Sequence, residues 1–139
     1  MSPLMTLRNI VNESVLDTHA AIWFITEDDR LPTKAKAQIE NPDNPCFVSI
    51  TSFWEMAIKH SLGKLELRSD LNAVFQLVDS SGLTLLPITT THILTSSTLP
   101  FHHRDPFDRL IIAQAKSEGL TVLTKDMEFS NYDIDLLWD

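Results

Sequence analysis

The chain has 139 residues, 43% of them hydrophobic and 22% charged; this suits one domain with a buried core and is too short for two comfortable ones. Lys and Arg number 11 against 19 Asp and Glu, a formal net charge of −8. That balance excludes nucleic-acid binding through a broadly basic surface, but not through a site where a cation offsets clustered acids. The single Cys46 leaves no internal disulfide and, within the apolar run Cys46-Phe47-Val48, reads as a core thiol. No apolar run approaches the roughly 18 residues of a membrane span, and no charged-then-apolar signal segment opens the chain, so a cytoplasmic protein away from membranes is expected.

Residues 1–13 show no periodicity and read as an N-terminal tail or short extra element, with the fold expected over 14–139. Ser14-Val15-Leu16 is a short buried-strand signal that ends at Asp17-Thr18 and passes into a helix from His19 to Ile25. A second helix is expected over Thr33–Asn41, broken by the loop Asn41-Pro42-Asp43-Asn44-Pro45. Cys46–Ser49 reads as the second strand. Ser49, Thr51 or Ser52 can then cap a third helix from Phe53 to about Ser61, with Glu55 near its start and Gly63 as its stop. Asp70 caps a fourth helix, whose Leu71, Val74, Phe75, Leu77 and Val78 recur at helical spacing until Gly82. A third strand, Leu83–Ile88, a short helix, Thr90–Ser97, and a loop through Pro100–His103 follow. Asp105 is placed to cap the next helix, with Pro106 at its first position, Asp108 in its first turn and Gly119 at its close. Its segment Leu110–Ala115 is apolar nearly all round, as in a helix packed deep against a sheet. A fourth strand, Thr121–Thr124, ends at Lys125-Asp126 and repeats the pattern at Asp17, an apolar strand followed by an acid.

Strands alternating with helices predict a parallel sheet wrapped on both faces by right-handed crossovers. Asp17 and Asp126 then follow strand ends, while Glu55 and Asp108 lie near the starts of helices leaving the same sheet edge, where ligands collect in such folds. Taken singly, each acid has an ordinary explanation. Asp105 and Asp108 resemble a capping box, and Glu55 can pair with Lys59 four residues on. Four carboxylates from four elements at one edge favour instead a hard divalent ion, Mg²⁺ or Mn²⁺. The histidines His19, His60, His92, His102 and His103 match no zinc spacing and read as loop or helix-surface residues. Trp23 and Trp54, beside apolar neighbours, read as core rather than as base-stacking groups.

The blocks Leu16-Asp17-Thr18-His19-Ala20, Val48 to Glu55 with Lys59 and Gly63-Lys64-Leu65, His103 to Ala115, and Leu123-Thr124-Lys125-Asp126 resemble PIN-domain ribonucleases. They are most similar to the VapC-type toxins of type II toxin–antitoxin pairs. The resemblance implies a three-layer α/β/α fold around a central, mostly parallel sheet of four to five strands. It implies Mg²⁺- or Mn²⁺-dependent endonucleolytic cleavage of RNA, often tRNA or rRNA, by a homodimer held in check by a cognate antitoxin protein. Carried over by motif, Asp17, Glu55, Asp108 and Asp126 are the catalytic, metal-binding acids, with Asp17 and Asp108 the first choices as direct ligands. Asp105 supports them from its cap position, and Thr124 and Thr18 hydrogen-bond the carboxylates or a metal-bound water. Lys59, Lys64, Arg104 and Arg109 are the candidates for substrate phosphates. The alternative is a catalytically inactive PIN-like module that binds a partner protein or RNA. A receiver-like module would pair two acids at the end of the first strand, which Ser14-Val15-Leu16-Asp17 does not supply, and His19 stands where a phosphoaspartate enzyme would carry its second acid.

Overall fold

The computed structural model describes residues 13–67 and 70–139. The expected N-terminal tail therefore lies outside the described residues, apart from Glu13. Five strands, β1 (Ser14–Leu16), β2 (Cys46–Ser49), β3 (Thr84–Leu86), β4 (Thr121–Leu123) and β5 (Leu136–Leu137), form one sheet in the order β3-β2-β1-β4-β5. Every pairing is parallel. The helices are α1 (Thr18–Ile25), α2 (Thr33–Glu40), α3 (Ile50–Ser61), α4 (Leu71–Ser80), α5 (Thr90–Thr98) and α6 (Pro106–Glu118), with a 3₁₀ turn at Met127–Asn131.

A parallel sheet must be covered on both faces, and here the strands divide their side chains by strict alternation. Leu16, Val48 and Leu123 join one core with Ala20, Ala21, Trp23 and Met56, from α1 and α3. Val15, Leu86 and Val122 join the other with Ile111, Ile112 and Phe129, from α6 and the 3₁₀ turn. The molecule is thus a three-layer α/β/α sandwich, as the alternating elements predict. Cys46 lies in the first of these cores, where burial pushes its thiol up to about 11. No described helix is long and apolar enough to cross a membrane.

The chain moves from β1 through β2 to β3 on one side, then returns to place β4 on the other side of β1. This reversal opens a crevice beyond the C-terminal ends of β1 and β4. Leu16 is in register with both Val48 and Leu123, so Asp17, Ser49 and Thr124 leave the sheet at one level. The Asp17 amide donates to the Leu123 carbonyl at 3.0 Å, which holds that level.

Several elements differ from their sequence-based bounds. α3 begins at Ile50, three residues before Phe53, because the Ser49 hydroxyl accepts from the Thr51 amide at 3.0 Å and caps it there. β3 is confined to Thr84–Leu86 by Pro87, which has no N–H to continue a ladder. β5 has only two residues and no period to reveal it. Trp54 is 59% exposed rather than core, since α3 buries Thr51, Ser52, Glu55 and Met56 and turns Trp54 outward onto the edge of Phe107. His92 and His103 are buried, not surface residues. The His92 Nδ1 accepts from the Thr89 amide at 3.0 Å, closing a capping box at the start of α5, and its Nε2 lies 2.9 Å from Glu118.

α6 starts and stops as its sequence predicts. The Asp105 carboxylate accepts from the Phe107 and Asp108 amides, and Gly119 takes a left-handed φ of 68° so that the chain can turn into β4. A Cβ at Gly119 would meet nothing within 4 Å, so substitution strains only the backbone. Gly119→Ala is expected to cost about 1 kcal/mol, a fall of roughly 3 °C in Tm by thermal unfolding.

Candidate active site

Asp17 closes β1 and caps α1. Its Oδ1 accepts from the Ala20 amide at 2.8 Å and its Oδ2 from the Thr124 hydroxyl at 2.6 Å, and the side chain is buried. Burial raises its pKa; the bonds from Thr124 and Ala20 and the nearby His19 oppose the rise, and the charge of Asp126 adds to it. The same Thr124 oxygen accepts from the Asp126 amide at 3.0 Å, so one hydroxyl ties the two strand-end acids together. Asp126 also caps the 3₁₀ turn through the Glu128 amide.

Glu55 is only 2% exposed. Its Oε1 accepts from the Thr18 hydroxyl at 2.7 Å, itself 2.9 Å from the Ser52 hydroxyl, and its Oε2 accepts from Lys59 Nζ at 2.6 Å. The i,i+4 pair is therefore present, but as the inner counter-charge of a buried carboxylate rather than a solvated couple. Burial depresses the Lys59 ammonium, yet its bond to Glu55 and the charges of Glu55, Asp105 and Asp108 outweigh that and raise its pKa.

Three other acids act on Asp108. Burial, then the charges of Asp105, Glu55 and Asp17, lift its carboxyl to about 7 against the pull of His103. His103 is the residue that sequence reasoning missed. Its Nδ1 accepts from the Asp105 amide at 3.2 Å, which leaves the ring proton on Nε2, and Nε2 faces Asp126 Oδ2 at 2.9 Å and Asp108 Oδ2 at 3.2 Å. Burial lowers the imidazole pKa, but the bond to Asp126 and the charges of Asp108, Asp126 and Glu128 raise it further than that. Potential ligand atoms of His103, Asp126 and Glu128 lie within 4.8 Å of one another, the spacing of a metal site. With Nδ1 occupied and Nε2 protonated, the imidazole has no lone pair to offer, and it acts as a clamp on two carboxylates. Its position beside Asp105 is visible in the sequence; its contact 23 residues away is not.

Asp17, Asp108 and Asp126 line a cleft of about 350 Å³, joined by Lys125, a cation absent from the sequence-based candidates. Glu55 stands behind this wall, through Thr18 and Lys59. The donors are carboxylate oxygens, and the Asp108 carboxyl, raised to about 7 by burial and then by the charges of Asp105, Glu55 and Asp17, sits among acids. Both properties fit a divalent cation with a preference for oxygen.

The basic candidates divide. Lys59 is engaged by Glu55, Lys64 lies on a neighbouring cleft with Lys59, and Arg104 is exposed. Arg109 does not reach the site: it is buried, with its guanidinium donating to the carbonyls of Ser96, Leu99, Pro100 and His103. Its guanidinium gathers four carbonyls from the end of α5 and the loop that leads to α6, so it is a structural anchor rather than a phosphate contact.

A PIN-domain family model matches residues 14–135. The chain belongs to the PIN-domain family. Ribonuclease VapC22 of Mycobacterium tuberculosis is 30% identical over 122 residues, covering 85% of this chain and 90% of that protein, which places the chain with the VapC-type members. VapBC2 from Rickettsia felis, solved bound to a promoter DNA fragment, superposes with a TM-score of 0.70 at 16% identity, covering 91% of this chain and 99% of the other. VapBC-1 from nontypeable Haemophilus influenzae gives a TM-score of 0.66 at 16% identity, covering 90% and 96%. At such identities these structures speak to the PIN fold.

The charge balance around Asp108 has a consequence for stability. In the unfolded chain Asp108 ionises near 3.8, whereas the folded carboxyl holds its proton to about 7. Between these values the native state binds the extra proton, so with EDTA present stability falls as pH rises from about 4 to 7. Asp108→Asn is expected to flatten that slope in denaturant titrations and to stabilise the metal-free protein at pH 8 by on the order of 2–4 kcal/mol. Arg109→Lys, which cannot fork to four carbonyls, is expected to cost about 2 kcal/mol or more in the same assay. A phosphate contact would instead lose substrate affinity with no loss of stability.

Proposed function

We infer that this PIN domain, over residues 14–139, is a metal-dependent endoribonuclease and the toxin of a toxin–antitoxin pair. The observation that carries the reading is the meeting of Asp17, Asp108 and Asp126, from three elements, around one cleft, with Glu55 behind its wall and near enough for its charge to act on Asp108. Asp17 and Asp108 would hold Mg²⁺ or Mn²⁺ directly, with Glu55 and Asp126 acting directly or through waters. When bound, the ion supplies Lewis-acid polarisation of the scissile phosphate and a more acidic water. Thr124 and the Ala20 amide keep Asp17 aimed, Thr18 and Lys59 keep Glu55 aimed, and His103 holds Asp108 and Asp126 against their repulsion. A carboxylate of this group receives the proton of the attacking water, and no covalent intermediate on the protein is required. Lys125 on the cleft, with Lys64 and Arg104 beyond it, offers charge to the RNA phosphates.

An antitoxin partner is supported by the relatives solved as VapBC and toxin–antitoxin complexes. A homodimer is the companion proposal. Exposed Trp54, Ile93, Leu94 and Phe101 provide apolar surface for such contacts.

Purified, partner-free protein incubated with total cellular RNA is expected to cut it with Mn²⁺ and not with EDTA. Asp17→Asn should lower the rate at least about 100-fold. In the unsubstituted protein, but not in Asp17→Asn, Mn²⁺ should also raise Tm. A folded protein that cuts nothing under any of these conditions would support the inactive, partner-binding module instead.

A further inference from the structure

A larger cleft of about 630 Å³ adjoins the acid site and shares His19, Trp23 and Arg30 with it. Its size suits a nucleotide. The indole of Trp23 is 8% exposed and forms the floor at this junction, with the His19 ring 5.8 Å away at 49° and the Arg30 guanidinium carbon 4.8 Å from its centroid. Trp138 packs 5.8 Å away and braces the indole.

Arg30 makes three hydrogen bonds to Asp28. Its Nε donates to Asp28 Oδ1 at 3.0 Å, its Nη2 to Asp28 Oδ2 at 2.7 Å, and its amide to Oδ1 at 2.9 Å. The backbone enters the left-handed region at Glu27, φ 54°, to bring this pair back over Trp23, and the Asp28 amide donates to the Trp23 carbonyl at 2.8 Å. The guanidinium therefore lies over the indole with one edge on a carboxylate, while the side chain remains 64% exposed. The Asp28 fork takes the Nε hydrogen and one Nη2 hydrogen and offsets much of the charge that would attract a phosphate, leaving the Nη1 edge as its remaining hydrogen-bonding side. What Arg30 still offers to the cleft is a flat, delocalised face, a surface on which an unpaired nucleobase stacks.

We propose that Arg30, backed by Trp23, framed by Asp28 and flanked by His19, is the stacking platform for a base of the RNA strand beside the phosphate cut at the acids. The proposal rests on the ribonuclease reading above. Stacking tolerates any base, so the platform holds the strand in register over the carboxylates rather than reading its sequence. Lys64, which makes no ion pair among the described residues, lies on the same cleft and is placed for a backbone phosphate.

The test is steady-state cleavage, with Mn²⁺, of a single-stranded oligoribonucleotide spanning a mapped cut, beside a series carrying one abasic residue at successive positions around it. One abasic position is expected to raise KM about 5- to 100-fold for the unsubstituted protein, the range for loss of a single stack. Arg30→Ala should raise KM on the intact oligonucleotide by a similar factor, leave kcat within about twofold, and no longer distinguish that abasic position. Arg30→Lys, which keeps the charge and loses the plane, should behave as Arg30→Ala, and Asp28→Ala should lose part of the discrimination. An Arg30→Lys variant equal to the unsubstituted protein overturns the platform, as does an Arg30→Ala variant with unchanged KM or with the same loss on every oligonucleotide. If the unsubstituted protein cleaves no RNA at all, the ribonuclease reading falls, and the platform with it. Normal cleavage with an indifferent Arg30 removes the platform alone.

Discussion

Carboxylates brought together out of water repel one another, and much of the polar bonding around the crevice serves to contain that repulsion. Each acid has its own restraint: Thr124 and a helix N-terminus for Asp17, Thr18 and Lys59 for Glu55, His103 for Asp126 and Asp108. None of these restraints neutralises the group as a whole. Lys59 is the one full counter-charge in contact with an acid of the cluster among the described residues, and its partner Glu55 lies behind the cleft wall. Burial first, and then the negative charge left over, raise the pKa of Asp108, and a divalent cation is a species that would offset that charge.

The fold supplies this confrontation through register and then stiffens it from behind. Because β1 pairs in the same phase with β2 and β4, Asp17 and Thr124 emerge side by side, although they are 107 residues apart in the chain. His103 comes from a loop rather than an element end, so it needs its own scaffold. Tyr132 accepts from the His103 amide and donates to the Pro100 carbonyl, both at 2.8 Å, and Arg109 gathers the carbonyls on either side. Arg109 and Tyr132 thus act on the site through the loop they hold, without touching the cleft.

Helix α1 joins the acid site to the proposed platform. Its cap is Asp17, its first residue, Thr18, reaches Glu55, and His19 and Trp23, four residues apart on one face, line the boundary between the two clefts. A strand bound over Trp23 and Arg30 would be positioned by the same rigid element that positions the first acid. Such sharing would favour close placement of a phosphate over the carboxylates, since independent supports would add their fluctuations.

Features written in contiguous residues are legible in the amino-acid sequence itself: the alternating apolar runs, Pro106 after a capping Asp105, Gly119 at the close of α6, and the acids placed at element ends. Local rules decide these, because caps, breakers and periodicity act over one or two turns of chain. The parallel sheet and the convergence of the four acids also follow, once right-handed crossovers are accepted as the economical connection. Tertiary structure alone decided which polar groups lose their water. It buried His103 against acids far along the chain, turned Arg109 from a candidate phosphate contact into a carbonyl anchor, and exposed Trp54, which by its apolar neighbours reads as core as Trp23 does. Desolvation depends on what the rest of the fold lays over a side chain, and that is a property of packing rather than of neighbours in sequence.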